Sequence, residues 1–160
     1  MKRLVPARLL FAVSIFMVAP AGLSHAEETL IWTAKASDGF VSLSYVPLDP
    51  AKAPLFLLSC FDAMGIAVLD VRQEVEGAKQ GDPLAIVLSA GAAKAELKGE
   101  AARDTGMTFV EASDIAVKPV LEVLRQTGAV SITSGNARAS LSDSGRMQAV
   151  DQFTKDCPLE

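Results

Sequence analysis

Apolar and polar side chains alternate with a two-residue period along much of this chain, and short turn sequences interrupt the alternation. In one such stretch, Val41, Leu43 and Tyr45 recur at every second position. The dipeptide shortly before it, Asp38-Gly39, favours a two-residue hairpin turn. A period of two places one set of side chains on one face of a β-strand. The pattern therefore predicts antiparallel strands that each bury one face.

The same criteria predict nine strands along the chain. Seven precede the first helix and two follow it, at residues 30–37, 40–47, 55–61, 66–75, 84–90, 93–98, 108–111, 130–133 and 137–141. The run 55–61 is apolar almost throughout, which is typical of a strand that is buried on both faces. Residues 99–107 are predicted to form a loop.

Two C-terminal segments change to a helical period of three to four residues. The first has apolar residues at Val117, Val120, Leu121 and Leu124. The second has them at Met147, Val150, Phe153 and Cys157. These spacings predict two short amphipathic helices. Pro119 falls in the first turn of the first helix, where proline is tolerated, and Pro158 ends the second.

The predicted order is therefore seven strands, a helix, two strands and a second helix. Runs of antiparallel hairpins with two short helices are typical of a mainly β or α+β fold. We expect an antiparallel β-sandwich or a curled sheet, with the two helices in the C-terminal part. The chain has no internal repeat and no low-complexity linker. Residues 27–160 are therefore predicted to form a single globular domain.

The first 26 residues have the pattern of a secretory signal peptide. The chain opens on Met-Lys-Arg, residues 9–18 are apolar apart from one serine, and residues 24–26 (Ser-His-Ala) give a small-x-small cleavage pattern. We predict that residues 1–26 are removed and that the mature protein is periplasmic or secreted. An uncleaved N-terminal anchor is the alternative.

Charge and histidine content limit the classes of function. The full chain has a net charge of −4, and removal of the signal peptide takes away Lys2, Arg3 and Arg8, which leaves −7. An acidic surface does not favour nucleic acid or anionic lipid as a partner. His25 is the single histidine and is removed as well, which excludes histidine-based catalysis and the usual zinc sites. We expect another protein, in the envelope or outside the cell, as the partner, with no cofactor and no membrane span after signal removal.

Cys60 and Cys157 are the only cysteines of the chain. In an exported protein, two cysteines are expected to form one disulfide bond. The alternative is a free pair for redox chemistry, but such pairs are usually closely spaced, as in C-x-x-C. We therefore predict a structural bridge between the buried strand 55–61 and the last helix.

The C-terminal third carries a resemblance to known families. The order is L-x-x-L-x-x-x-G, a Val/Ile strand, a turn, a second strand and a helix that ends in F-x-x-x-C. The residues that carry it are Leu121, Leu124, Gly128, Val130, Ile132, Leu141, Val150, Phe153 and Cys157. This order resembles the C-terminal part of two groups of small exported bacterial proteins, the invasion-associated locus B family and an accessory protein family of type VI secretion. The resemblance implies a non-catalytic, β-rich envelope protein, and it assigns no functional residue.

No catalytic, cofactor-binding or metal-ligating residue is predicted. The chain lacks the G-x-S-x-G, P-loop, H-E-x-x-H, EF-hand and S-x-x-K motifs. Glu74 and Glu76 lie two residues apart on a strand face, where the predicted strand 66–75 meets a polar loop, and paired carboxylates can act as acid and base in sugar hydrolysis. We favour a solvated strand face for this pair. Turn chemistry explains the loop aspartates Asp38, Asp49, Asp62 and Asp82.

The first hairpin is the candidate contact surface, and it carries Trp32, Asp38, Phe40 and Tyr45. Trp32 and Tyr45 can form a cross-strand pair, and core packing is the favoured role for both. We predict an exported, non-catalytic binding or accessory protein of the bacterial envelope, with an inhibitor-like or assembly role. The alternatives are a carrier for a small apolar ligand and, third, a carboxylate-based hydrolase.

Overall fold

The computed structural model describes residues 29–159. The predicted signal peptide, residues 1–26, lies outside the described residues. The strands are β1 (Leu30–Ser37), β2 (Phe40–Pro47), β3 (Phe56–Phe61), β4 (Ile66–Val71), β5 (Pro83–Ala90), β6 (Ala93–Asp104), β7 (Met107–Ser113), β8 (Val130–Ser134) and β9 (Ala137–Leu141). The helices are α1 (Val117–Leu124) and α2 (Arg146–Asp156), and a short 3-10 helix spans Asp62–Met64. This order of strands and helices confirms the predicted one.

The nine strands form one antiparallel sheet in the order β1-β2-β3-β4-β7-β6-β5-β8-β9. The sheet is not closed, because β1 and β9 are its two edges and do not pair with each other. It curls strongly, since Ser142, directly after β9, accepts a hydrogen bond from Trp32 Nε1 of β1 at 2.7 Å. The mainly β class is confirmed, and of the two expected forms the molecule adopts the curled sheet.

Both helices pack against the inner face of the curl. Helix α2 contacts β1 and β2, helix α1 contacts β5 and β6, and the two helices touch each other. The core between them includes fully buried leucine, isoleucine and phenylalanine side chains, namely Leu43, Phe56, Leu58, Leu69, Ile86, Leu88, Leu124, Ile132, Leu141 and Phe153. Among residues 29–159, no helix is long and apolar enough to cross a membrane.

The first hairpin forms with the turn and the strand pairing that the sequence predicts. Its two turn residues, Asp38 and Gly39, have φ values of 35° and 80°. Positive φ at both central positions is the geometry that matches the twist of the flanking strands. The hairpin places Trp32 directly opposite Tyr45, and their ring centroids are 5.0 Å apart. The predicted cross-strand pair therefore forms.

Two strand boundaries were wrong. Strand β4 ends at Val71 instead of continuing to residue 75. Arg72 N still donates to Leu55 O, beside the last β3–β4 pair, but Gln73 N donates to Val71 O, which turns the chain away. The predicted loop 99–107 is instead mostly strand, since β6 runs to Asp104. Residues 100–104 pair with β7, so long-range pairing overrides the weak strand propensity of their alanines.

Cys60 of β3 and Cys157 after α2 form a disulfide bond across a sequence separation of 97 residues. Both cysteines are buried, with exposed fractions of 0% and 6%. The bond attaches the end of α2 to the inner face of the sheet. The predicted pairing is confirmed.

The guanidinium group of Arg146, the first residue of α2, is the most heavily hydrogen-bonded side chain in the core. It donates to four main-chain carbonyl oxygens, those of Leu124, Gln126, Gly128 and Ser142. Its exposed fraction is 1%. Burial lowers the pKa of the Arg146 guanidinium from its ordinary value, and the negative charge of Asp143 acts in the opposite direction. The side chain stabilises the carbonyl-rich end of α1, where a positive charge is favoured.

Loss of the disulfide is expected to destabilise the fold by about 4–5 kcal/mol, because opening a loop of this length restores entropy to the unfolded chain. The measurement is urea denaturation of the oxidised and the reduced protein. The control is the double variant Cys60→Ala/Cys157→Ala, whose stability should not respond to reductant. Equal stability of the wild-type protein with and without reductant would contradict the prediction.

Arg146→Met is expected to lower the free energy of unfolding by at least about 3 kcal/mol, because it leaves buried carbonyl groups without donors. Arg138→Met, on the exposed face of β9, is the control and should change stability by less than about 0.5 kcal/mol. Arg146→Lys should fall between them, since an ammonium group lacks the planar fork of the guanidinium. Equal unfolding midpoints for Arg146→Met and Arg138→Met would refute this role.

Candidate functional site

The four residues of the predicted contact surface separate into a buried pair and an exposed pair. Trp32 and Tyr45 are 7% and 5% exposed and belong to the core. The Tyr45 hydroxyl lies 3.1 Å from Ser142 Oγ, and Trp32 Nε1 donates to the carbonyl of the same residue. Both rings therefore hold the inner face together and are not available to a partner.

Asp38 and Phe40 lie at the exposed tip of the first hairpin. Phe40 is 36% exposed, and its ring centroid is 5.2 Å from that of Phe61 on β3. The strand register places Phe40 opposite Phe61 and Phe61 opposite Ile66 on β4. Three apolar side chains therefore form a row across β2, β3 and β4.

Met64 extends this row at the turn between β3 and β4, with an exposed fraction of 61%. We call Phe40, Phe61, Met64 and Ile66 the apolar patch. The patch lies on the outer face, because its strand residues are followed or preceded by the core residues Val41, Cys60 and Ala67, and successive side chains point to opposite faces of a strand.

The outer face around the apolar patch is unusually poor in charge for an uncovered face of an antiparallel sheet. Leu57 and Val68 on the same face are half-buried. This face also carries three small serine side chains that are buried, namely Ser42, Ser44 and Ser59. Both helices lie against the inner face, so no helix within residues 29–159 covers the patch.

Two exposed carboxylates border the apolar patch. Asp38 belongs to the hairpin turn, and Asp62 opens the turn that carries Met64. The main-chain N–H of Asp62 donates to Gly39 O at 3.0 Å, which holds the two turns side by side. The result is an apolar surface with an acidic rim at one end of the sheet.

A second feature of the outer face is a row of acidic residues. The register places Asp70 of β4 opposite Glu111 of β7, and Glu111 opposite Glu100 of β6. Burial, and next the negative charge of Glu111, raise the pKa of Asp70 to about 6, while Arg72 acts in the opposite direction. Asp70 therefore holds its proton at a pH where most aspartates have lost theirs.

Arg72 neutralises only part of the negative charge of this acidic row. Its Nη1 donates to Asp104 Oδ2 at 2.9 Å, while its Nε is 3.7 Å from Asp70 Oδ2, which is too far for a hydrogen bond. The guanidinium also lies over the ring of Phe109, 4.7 Å from its centroid. Asp70 Oδ1 is buried and has no hydrogen-bond partner among the described residues. Repulsion between the carboxylates of Asp70 and Glu111 therefore destabilises this part of the sheet when both are ionised.

Glu74 and Glu76 do not share a strand face, which corrects the sequence interpretation. Both lie in the loop that follows β4. Glu74 Oε2 accepts a hydrogen bond from the main-chain N–H of Thr108 at 3.2 Å, and the main-chain oxygen of Glu76 accepts one from Asn136. Two of the four loop aspartates make the expected turn hydrogen bonds, since Asp49 Oδ1 accepts from Ala51 N and Asp82 Oδ2 accepts from Lys79 N.

Within residues 29–159, no group of three or more His, Cys, Asp or Glu side chains is arranged to hold a metal ion. Comparison with known proteins finds no matching family model, no similar curated protein and no similar solved structure. The assignment of a function therefore depends on the geometry of this chain alone.

Sequence reasoning named Phe40 and missed its neighbours. Phe61, Met64 and Ile66 come from three different segments and meet only through the register of β2, β3 and β4. The signal in the sequence was the apolar pair that flanks the turn, Phe61 and Ile66, which are half-buried at positions where an outer strand face is normally polar. The Asp70–Glu111 pair had no local signal, because β4 and β7 are separated by two other strands in the sequence.

Asp70→Asn is expected to stabilise the protein at pH 7.5. Since the pKa of Asp70 is raised from 3.8 to about 6, the folded state binds more protons than the unfolded state between about pH 4 and 6. The contribution of Asp70 to the free energy of unfolding therefore falls as the pH rises through that window. Above pH 6, the ionised carboxylate destabilises the fold by up to about 3 kcal/mol.

The measurement is the free energy of unfolding as a function of pH for wild-type, Asp70→Asn and the control Asp151→Asn, which is exposed on α2. The wild-type and control curves should decline together between pH 4 and 6, and the Asp70→Asn curve should decline less. Parallel curves for all three proteins would show that Asp70 does not titrate in this window.

Proposed function

We propose that this protein is an exported, non-catalytic binding or accessory protein of the bacterial envelope, and that it binds another protein through the apolar patch. One observation carries the proposal: Phe40, Phe61 and Ile66 form a continuous row across three strands, with Met64 beside them, on a face that no helix within residues 29–159 covers. Contiguous exposed apolar side chains of this kind mark interaction surfaces.

The basic and apolar pattern of residues 1–26 supports export to the periplasm or the cell exterior. The disulfide between Cys60 and Cys157 supports the same destination, because such bonds persist in oxidising compartments. The C-terminal resemblance to exported envelope and secretion accessory proteins agrees with this class, and an inhibitor-like or assembly role is consistent with it.

The rim of the apolar patch indicates the chemistry of the partner. Asp38 and Asp62 lie at its border, and the chain carries 19 acidic against 15 basic residues. Complementary charges steer encounter and suppress wrong partners. We infer that the partner presents an apolar surface with basic residues at its margin.

The positions of the carboxylates favour a binding role over catalysis. The Glu74 carboxylate is engaged by the main chain of Thr108, so it is not free to act with Glu76. Asp70 and Glu111 are cross-strand neighbours on an open face. The Ser113 hydroxyl donates to Glu111 Oε1 at 3.1 Å, but the depression that these two residues line is open to solvent and does not enclose a substrate. Carboxylate catalysis needs a site that positions a substrate between the two groups.

Phe40→Ser and Phe61→Ser are expected to weaken partner binding by at least about tenfold each, since central aromatic residues dominate interfaces. The oxidised protein is used to capture partners from envelope extract, and the captured protein is then purified and titrated against each variant. Leu48→Ser is the control, because Leu48 is 63% exposed but directly follows β2, eight residues and roughly 26 Å from Phe40.

A partner that binds wild-type and Leu48→Ser equally, and both Phe variants weakly, would support the proposal. Equal affinity for all four proteins would place the interface elsewhere. Light scattering of the purified protein provides a separate check: a dimer that Phe40→Ser dissociates would assign the apolar patch to self-association instead.

A further inference from the structure

A crevice lies between α1 and the C-terminal end of α2, apart from the apolar patch. Its volume is about 310 Å³, which is within the range of small-molecule sites. The residues around it come from one stripe of α1, from the last turn of α2 and from the chain after it, and they include Val117, Lys118, Leu121, Arg125, Phe153 and Thr154. We call this feature the helix crevice.

The floor of the helix crevice is apolar. Val117, Leu121 and Phe153 are 2%, 6% and 0% exposed, and Cys157, in the disulfide, closes one end. These side chains belong to the main core, so the floor is rigidly supported. It can accept a hydrocarbon chain without leaving a polar group unpaired.

The rim of the helix crevice is positively charged. Lys118, Arg125 and Lys155 surround it, and no acidic side chain of the described residues lines it. None of the three cations forms a salt bridge within residues 29–159. Lys155 also lines a neighbouring depression with Asp38, Asp62 and Asp156, so the positive charge of the crevice rim comes mainly from Lys118 and Arg125. Two such cations beside an apolar floor are unexpected on a chain whose net charge is −4.

Arg125 is also oriented. Its Nη2 donates to Thr154 Oγ1 across the crevice at 3.0 Å, and Thr154 Oγ1 in turn donates to Val150 O at 2.8 Å. This chain of hydrogen bonds holds the guanidinium at the mouth of the crevice. A guanidinium so placed is suited to a carboxylate, which it binds with a charge-assisted hydrogen bond.

We propose that the helix crevice binds a monocarboxylate with a medium-length hydrocarbon chain. The apolar floor takes the chain, and Arg125 and Lys118 bind the carboxylate. At about 30 Å³ for each non-hydrogen group, the share of a water molecule in the liquid, the crevice holds roughly ten groups. A chain of eight to ten carbons therefore matches its size.

The test is isothermal titration of the oxidised protein with octanoate, with octanol and acetate as comparison probes. Octanoate is expected to bind saturably at one site. Octanol lacks the charge and acetate lacks the chain, so each should bind at least about tenfold more weakly. Equal affinity for octanol and octanoate, or no saturable binding of octanoate, would overturn the proposal.

The variants Lys118→Glu and Arg125→Gln test whether octanoate binds in the helix crevice. Both residues are exposed, so the fold should tolerate the changes, and each should weaken octanoate binding about tenfold or more. Lys35→Glu, exposed on β1, makes the same charge change as Lys118→Glu away from the crevice and should bind like the wild type. Unchanged binding by Lys118→Glu and Arg125→Gln, with unfolding midpoints equal to the wild type, would place the site elsewhere.

Discussion

The buried guanidinium of Arg146 is the contact on which the arrangement of this fold depends. It joins the end of α1, through Leu124 and the carbonyl groups that follow it, to Ser142 after β9. Ser142 also accepts the Trp32 indole N–H from the opposite edge of the sheet. One residue thus connects both helices to both sheet edges. Its buried charge is tolerated because four of the five N–H groups of the guanidinium donate to carbonyl groups.

This arrangement decides which surfaces of the molecule remain free. Because the curled sheet encloses α1 and α2 on its inner face, the outer face of β2, β3 and β4 is left without a covering element among the described residues. The row formed by Phe40, Phe61 and Ile66 lies there. The same packing leaves a crevice where the two helices diverge, since α1 contacts β5 and β6 while α2 contacts β1 and β2.

Local patterns predicted the strands and helices well, and long-range pairing accounts for what they missed. The dipeptide Asp38-Gly39 predicted the first hairpin correctly, because both residues adopt the positive φ values that its turn requires. Residues 100–104 were mistaken for a loop because Ala101 and Ala102 are weak strand formers, and only pairing with β7 makes them a strand. The apolar patch and the acidic row were missed for the same reason: each is assembled by register across strands, which no single stretch of sequence encodes.

Strand β3 connects the two proposed sites. Cys60 and Phe61 are consecutive, so their side chains point to opposite faces of the sheet. Cys60 is bonded to Cys157 at the end of the helix crevice, while Phe61 lies in the centre of the apolar patch. The disulfide therefore fixes the strand from the inside at the residue next to the one presented outside. The crevice and the patch are therefore joined through this one bond, because Cys157 lines the crevice and Cys60 precedes Phe61 of the patch.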